Sequence, residues 1–347
     1  MEKKEPLSGK TSEELKSIVQ ALDLPKFTAT QITQWIYQKG ATDFESMTNI
    51  SKKAKALLEE KYCVGIEPAV KVSESIDGTK KYLFKVGDNK YVETAYIPDK
   101  ERSTLCVSSQ SGCKMACKFC MTGMQGFSCN LTAGEILNQI FAVEESQNLT
   151  NIVFMGMGEP FDNTDNVMKA IEILTSEYGR AMSPSRITVS TVGMLEGTAR
   201  YIRESRCHLA VSIHNPFADQ RLDYMPVERL NPLSKVLSLV KNRDDFFHQR
   251  RFSAEYTMID GYNDSPAHAK ELAHILHGIP ARINLIRYHQ HPGCDLQSSP
   301  EGRILAFQNI LREKNYITTI RASRGEDIFA ACGLLSTLEL HNQKGSE

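Results

Sequence analysis

Three thiols crowd into one short run of this chain, CKMACKFC, at Cys113, Cys117 and Cys120. An iron–sulfur cluster is ordinarily held by four cysteine thiolates, so a loop that supplies three leaves one iron open to a ligand that is not protein. A structural zinc site would want a fourth ligand close by, and the run offers none. A second motif, MGMGEP from Met155 to Pro160, carries Gly156 and Gly158, which permit close approach of backbone to a ligand. Its Glu159 could accept from an ammonium group. Ser190, then Ser212, Ile213 and His214, then His289 in RYHQHPG, add hydroxyls and imidazoles for binding a ribose or a carboxylate. His214 stands evenly between a structural and a ligand-binding reading. Two cysteines sit apart from the run: Cys106, and Cys332 in GEDIFAACGLL. A lone cysteine among apolar neighbours is ordinarily a small core residue, and Cys63, Cys129, Cys207 and Cys294 are read that way.

These residues must be positioned by a regular scaffold. After Arg102 the pattern alternates between strand and helix. Strands are expected at 104–109, 151–156, 186–191, 208–213, 251–258 and 282–288, with helices at 133–145, 164–177, 232–241, 267–276 and 302–314. Thr132 and Glu135 form a capping box for the first helix. Six β/α units imply a parallel sheet with helices outside. Curled into a partial (β/α)6 barrel, the sheet would gather its strand C-termini, and the motifs that follow them, at one rim. A seventh strand, YITTIRAS, leads into the last motif. Upstream, residues 1–78 read as a small helical domain with Ile32, Trp35 and Ile36 at helical spacing and Trp35 in its core. Residues 79–98 read as a β-hairpin extension, KYLFKV and KYVETAYI about Gly87-Asp88-Asn89. The barrel core then spans 99–327 and a C-terminal segment 328–347, whose tail HNQKGSE is expected to be disordered.

Composition narrows the class. The chain has 347 residues, 41% hydrophobic and 24% charged, with 41 basic against 42 acidic side chains. No apolar run is long enough to cross a membrane, and MEKKEPLSGK lacks the apolar core of a signal peptide. Nine cysteines without an export signal point to reduced thiols in a cytoplasmic protein. A net charge of −1 announces no nucleic-acid binder, but local basic groups exist: Lys52, Lys53 and Lys55; Arg250 and Arg251; Arg282 and Arg287; Arg321 and Arg324. Judged singly, each is more often a solvated surface.

TLCVSSQSGCKMACKFCMTGMQGF, VFMGMGEP, VSIHNP, INLIRYH and RASRGEDIFAACG together resemble the RlmN/Cfr family of radical S-adenosylmethionine (SAM) RNA methyltransferases, over nearly the whole chain. The resemblance implies a [4Fe-4S] cluster on Cys113, Cys117 and Cys120, its open iron taken by SAM. Gly158, Glu159, Ser190, Ser212, Ile213, His214 and His289 would contact SAM, of which two are used per turnover. It implies that Cys332 accepts a methyl group and carries it to adenosine through a covalent protein–RNA intermediate. Cys106 then resolves that intermediate, leaving a Cys106–Cys332 disulfide. Glu93, in YVETAYIP, matches the family's proton acceptor; without the resemblance one glutamate on an edge strand would be read as surface. Pro160, where the Cfr branch has alanine, favours the RlmN branch, which methylates adenine C2 in 23S rRNA at the peptidyl-transferase centre and in tRNA 3' of the anticodon. His289 departs from the asparagine common there. The alternatives are adenine-C8 methylation with antibiotic resistance, and an RNA-binding or assembly protein with a structural cluster. Against the last stand the retained cysteines and the Gly-Glu loop. Implied partners are 23S rRNA, tRNA and an electron donor such as flavodoxin, with the protein a monomer.

Overall fold

The computed structural model of the chain describes residues 4–242 and 250–337; the tail HNQKGSE lies outside them. At the N-terminus, strand β1 (Glu5–Pro6) leads into helix α1 (Ser12–Ala21). Thr11 caps α1: its hydroxyl accepts from the Glu14 amide while the Glu14 carboxylate accepts from the Thr11 amide. Helix α2 (Phe27–Thr33) runs into a π-helical turn over Gln34–Gln38, and Ser51 caps α3 (Lys52–Lys61). Strand β2 (Tyr62–Cys63) closes the unit by pairing parallel with β1. Ile32 and Ile36 are fully buried, as their spacing requires. Trp35 differs from expectation. It is half-buried at the core's edge, its Nε1 donating to Asn49 Oδ1 at 2.5 Å and its ring face covered by Lys39, because the indole N–H needs an acceptor that the apolar interior lacks.

The main sheet has ten strands. Strands β3 (Lys71–Glu74), β4 (Lys80–Lys85) and β5 (Tyr91–Asp99) form an antiparallel meander, and β5 pairs antiparallel with β6 (Arg102–Cys106). The expected hairpin is therefore not an appendage but one edge of the sheet. Residues 71–74, expected within the helical domain, are its outermost strand. A ribbon of β7 (Gln110–Gly112) and β8 (Phe127–Asn130) stands after β6 with the short helix α4 (Met121–Gln125) between its arms. Helix α5 (Ala133–Phe141), with its Thr132–Glu135 capping box, then leads to β9 (Asn151–Phe154).

The alternation continues as expected: α6 (Thr164–Thr175), β10 (Ile187–Thr191), α7 (Leu195–Glu204), β11 (His208–Ser212), α8 (Ala218–Tyr224), α9 (Leu233–Lys241), β12 (Phe252–Met258), α10 (Pro266–Ile275), β13 (Ala281–Arg287), α11 (Glu301–Glu313) and β14 (Ile317–Ile320). From β6 through β9 to β14 every neighbouring pair is parallel. Strand β12 is buried at all seven positions, the mark of a parallel strand covered on both faces. Its FSAEYTM sequence nevertheless alternates, placing Ser253, Glu255 and Thr257 on one face and apolar side chains on the other.

One apolar core joins the helical unit to the barrel: Leu7, Leu15 and Leu58 pack in the same cluster as Leu105, Val189 and Phe252. Backbones nearly touch where the two parts meet. A Cβ on Gly9, whose φ is +86°, would lie 2.3 Å from the amide nitrogen of Gly134 at the start of α5. Among the described residues no helix is long and apolar enough to cross a membrane.

Candidate active site

The strands' C-terminal ends surround a cavity of about 970 Å³, open mouth included. Residues in or just after β9, β10, β11, β12, β13 and β14, together with the loop after β6, all line it, so the sheet curls. Cys113, Cys117 and Cys120 line it together. Their loop is held at three points: the Cys113 amide donates to Gly126 O, Lys118 to Tyr224 O, and Met121 to Gly333 O, each at 3.0 Å. Burial pushes the Cys113 thiol to about 12 and raises Cys117 and Cys120; Cys120 and Cys113 raise Cys117 further, and Cys332 raises Cys120. Thiols held in this setting are costly to ionise unless a cation takes the charge. No group of three His, Cys, Asp or Glu among the described residues is arranged to hold a single metal ion. The three thiols face one cavity, a donor set that suits a multi-iron cluster bonded through one thiolate per iron.

Beside the thiols, Gly158 (φ +94°) has no room for a side chain, since a Cβ would meet Gln110 Cβ at 2.4 Å. Glu159 is buried. Its Oε1 accepts from Thr191 Oγ1 at 2.6 Å and the Phe161 amide at 3.0 Å, and its Oε2 accepts from the Val192 amide at 2.9 Å. Burial nonetheless raises its carboxyl to about 7, and a cationic ligand in the cavity would bring it down. Ser190 and Ser212 line the same wall. His214 does too, with a left-handed backbone (φ 55°). The Thr257 amide donates to its Nδ1 at 3.0 Å, which leaves the proton on Nε2, and its ring meets Phe119 edge-on.

Two expectations shift. Ile213 is fully buried in the apolar core, with its N–H donated to Glu255 O and its C=O accepting from Arg221; its side chain follows the outer period of β11. His289 lines a second chamber, where its Nδ1 stands 3.1 Å from Glu326 Oε1, because the chain has already left the rim two residues after β13.

That second chamber, about 810 Å³, shares Met155, Gly156, Arg321, Cys332 and Gly333 with the first. Cys106 and Cys332 both line it, and both are free thiols. Cys106 also packs against Ala95 and Ala330. Glu93 is not a surface residue. It is buried, its Oε1 ion-paired to Lys81 at 2.9 Å and its Oε2 accepting from the Ser336 amide at 2.9 Å, because β5 is an inner strand. Of the cysteines read as core, Cys207 is buried, whereas Cys63, Cys129 and Cys294 are half-exposed, two on short outer strands and one in a loop. Of the basic groups, Arg287 and Arg324 line the second chamber and Arg321 lines both, with 33% of its side chain still exposed.

Sequence reading missed Arg221, a fully buried guanidinium. It donates to the carbonyls of Val192, Ser212 and Ile213 at 2.7–3.0 Å and pairs with Glu228, tying together the loops after β10 and β11. It also missed Glu255 on the cavity floor, although the alternation in FSAEYTM marks a polar inner face.

Comparison with known proteins agrees with this arrangement. Residues 6–64 match the ribosomal RNA large subunit methyltransferase N-terminal domain and residues 107–273 the radical SAM superfamily. A "probable dual-specificity RNA methyltransferase RlmN" of Phocaeicola vulgatus is 51% identical, over 99% of this chain and 98% of its own. The dual-specificity RNA methyltransferase RlmN of Syntrophus aciditrophicus is 42% identical, over 93% of this chain and 94% of its own. A crystal structure of a radical SAM methyltransferase from Sphaerobacter thermophilus superposes with a TM-score of 0.90 at 38% identity, covering 95% of this chain and 99% of that one.

Proposed function

The chain belongs to the RlmN family of radical SAM RNA methyltransferases, and on that premise we propose that it methylates C2 of adenosine in 23S rRNA and in tRNA, through a methyl group carried on Cys332. The observation that carries this reading is the placement of Cys106 and Cys332 on one chamber that opens into the cavity of the three thiols. Cys113, Cys117 and Cys120 would hold a [4Fe-4S] cluster, with SAM bound by Glu159, Ser190, Ser212 and His214. When bound, the cluster and SAM supply a carbon radical able to take a hydrogen atom from an S-methyl group.

The chain's own residues supply the rest. The Cys332 thiolate attacks the methyl carbon of one SAM, S-adenosylhomocysteine leaves with the electron pair of the broken bond, and Cys332 becomes a methyl thioether. After hydrogen abstraction its methylene carbon bonds to C2, so that RNA and protein are joined. The adduct carries one unpaired electron; once that electron, which the oxidised cluster would accept, and the C2 proton have both left, the deprotonated Cys106 sulfur attacks Cys332 sulfur. The carbon–sulfur bond breaks with its electron pair going to carbon, which takes up a proton to become the methyl group, and a Cys106–Cys332 disulfide forms. Splitting the transfer in this way is covalent catalysis. Glu93 would take the C2 proton; its carboxylate is held by Lys81 and the Ser336 amide and lines neither chamber, so the segment around Ser336 would have to move to bring it to the base. The adenine must be splayed out of its stack to reach this depth.

Mass analysis of RNA methylated by the reconstituted enzyme tests the reading. 2-Methyladenosine in both rRNA and tRNA is expected. 8-Methyladenosine would assign the enzyme to the other branch of the family.

A further inference from the structure

The inner face of the barrel carries a polar ladder that neither the thiols nor the Gly-Glu loop uses. Glu255, Asn284 and Thr319 stand side by side in register on β12, β13 and β14. Thr319 Oγ1 donates to Asn284 Oδ1 at 2.7 Å, and Asn284 Nδ2 donates to Glu255 Oε1 at 2.8 Å. The other Glu255 oxygen is buried without a hydrogen bond. Arg321 Nη1 stands 3.7 Å from it, an ion-pair distance too long for a hydrogen bond.

Arg321 lines both chambers, beside Cys332. Its Nη1 reaches only the Met155 sulfur, at 3.5 Å, a weak acceptor. Among the described residues its Nε and Nη2 donate to no protein acceptor. A guanidinium presents five donors in a planar fork, and with 33% of the Arg321 side chain exposed the donors not used by protein are open to a ligand in the cavity.

We propose that Arg321 reads the target adenine by donating to a ring nitrogen that flanks C2, with Glu255 as the positioning residue that holds the guanidinium plane through the Asn284–Thr319 ladder. The inference rests on the adenine-C2 reading above. C2 lies between N1 and N3, both in-plane acceptors, and a planar fork suits such an edge. C8 lies instead between N7 and N9, and N9 carries the ribose and has no free lone pair. A cation on N1 or N3 also draws electron density from C2. That favours addition of an electron-rich sulfur-substituted carbon radical there and the later loss of the C2 proton. Arg321 would thus select the carbon as well as the base.

The test couples the residue to the base atom. Methylation rates are measured for the parent enzyme and for Arg321→Lys on a tRNA anticodon stem-loop with adenosine, 1-deazaadenosine or 3-deazaadenosine at the target position. Lysine keeps the charge and loses the fork. With adenosine the variant is expected to slow on the order of 100-fold, the size of one lost donor to a reacting group. One deaza substitution should slow the parent comparably, yet slow Arg321→Lys by less than about threefold, since the contact is already gone. Losses that simply multiply would overturn the proposal. So would a parent enzyme indifferent to both deaza bases, an outcome that needs no variant at all. Cluster iron and the +14 Da mass on the Cys332 peptide are followed in parallel. Loss of that mass in both Arg321→Lys and Glu255→Gln would move Arg321 to SAM or to the thiol and overturn the proposal equally. A parent product of 8-methyladenosine would instead overturn the underlying reading, independently of any variant.

Discussion

Cys106 approaches Cys332 from the far end of the sequence, and in the free protein burial, then Cys332, pushes its thiol to about 12. A thiol so protonated is inert, which suits a group that must wait until the carbon–carbon bond exists. Cys106→Ala is therefore expected to accumulate a protein–RNA adduct, seen as a shifted band that survives denaturant and reductant, because its links are a thioether and a carbon–carbon bond. The double variant Cys106→Ala, Cys332→Ala should show none. A Cys106→Ala enzyme that turns over freely would return the residue to a packing role, with a stability cost of about 1 kcal/mol. His214 gives a second prediction. Burial first, then Arg221, lowers its pKa to about 3, while in the unfolded chain it titrates near about 6.5. Between those values the unfolded chain binds more protons, so this contribution to stability falls as pH drops. In urea unfolding, His214→Gln should lose less stability than the parent between pH 7.5 and pH 5; equal losses would show that His214 is charged in the fold.

Two clasps hold the site's loops. The turn between β3 and β4 grips the segment leading to Cys332. Ser75 Oγ donates to Asp327 Oδ1 at 2.5 Å, the Gly325 amide donates to Asp77 Oδ2 at 3.1 Å, and Arg324 stands between Asp77 and Asp99. Burial would raise the Asp77 carboxyl, but hydrogen bonds led by those from Thr79 and Gly325 outweigh it and hold the group at about 2. Its support is complete above the unfolded value, about 3.9, and is lost as pH falls through about 2. Asp77→Ala should speed amide exchange across residues 324–335 and slow methylation while cluster iron stays constant. Unchanged exchange there would mean that the clasp does not order the segment. The second clasp is Arg221. Arg221→Met leaves Glu228 buried and unpaired and frees three carbonyls. Loss of one partner of such a pair costs about 3–5 kcal/mol, readable as a fall in the urea midpoint. A change within about 0.5 kcal/mol, as for an ordinary surface site, would show that Arg221 does not clasp the loops.

The helical unit and the barrel share one core, so the N-terminal residues act as part of the folded whole and not as a tethered module. Their junction is the Gly9–Gly134 contact, where backbone meets backbone. Gly9→Ala must push those segments apart and also places a side chain at positive φ. We expect a cost of about 1–3 kcal/mol, with the unfolding transition still single. Two separate transitions, one for each part, would show that the core is divided.

Much of this was legible in the chain because it depends on neighbours in sequence. Alternation at period two and 3.6 marked the strands and helices of the barrel, Thr132 with Glu135 marked a helix start, and the spacing of Cys113, Cys117 and Cys120 marked a loop with three ligands. What only the tertiary structure decided involves residues that meet across it. Glu93 looked like an edge residue until β5 proved to lie inside the ten-stranded sheet. Cys106 and Cys332 face one chamber, and His289 lies outside the first cavity. Arg321, one arginine in a basic pair by sequence, became a cavity wall because the sheet curls and brings the end of β14 over the inner face of β12. Sequence spacing records which side of a strand a residue takes, but not which side the curvature encloses.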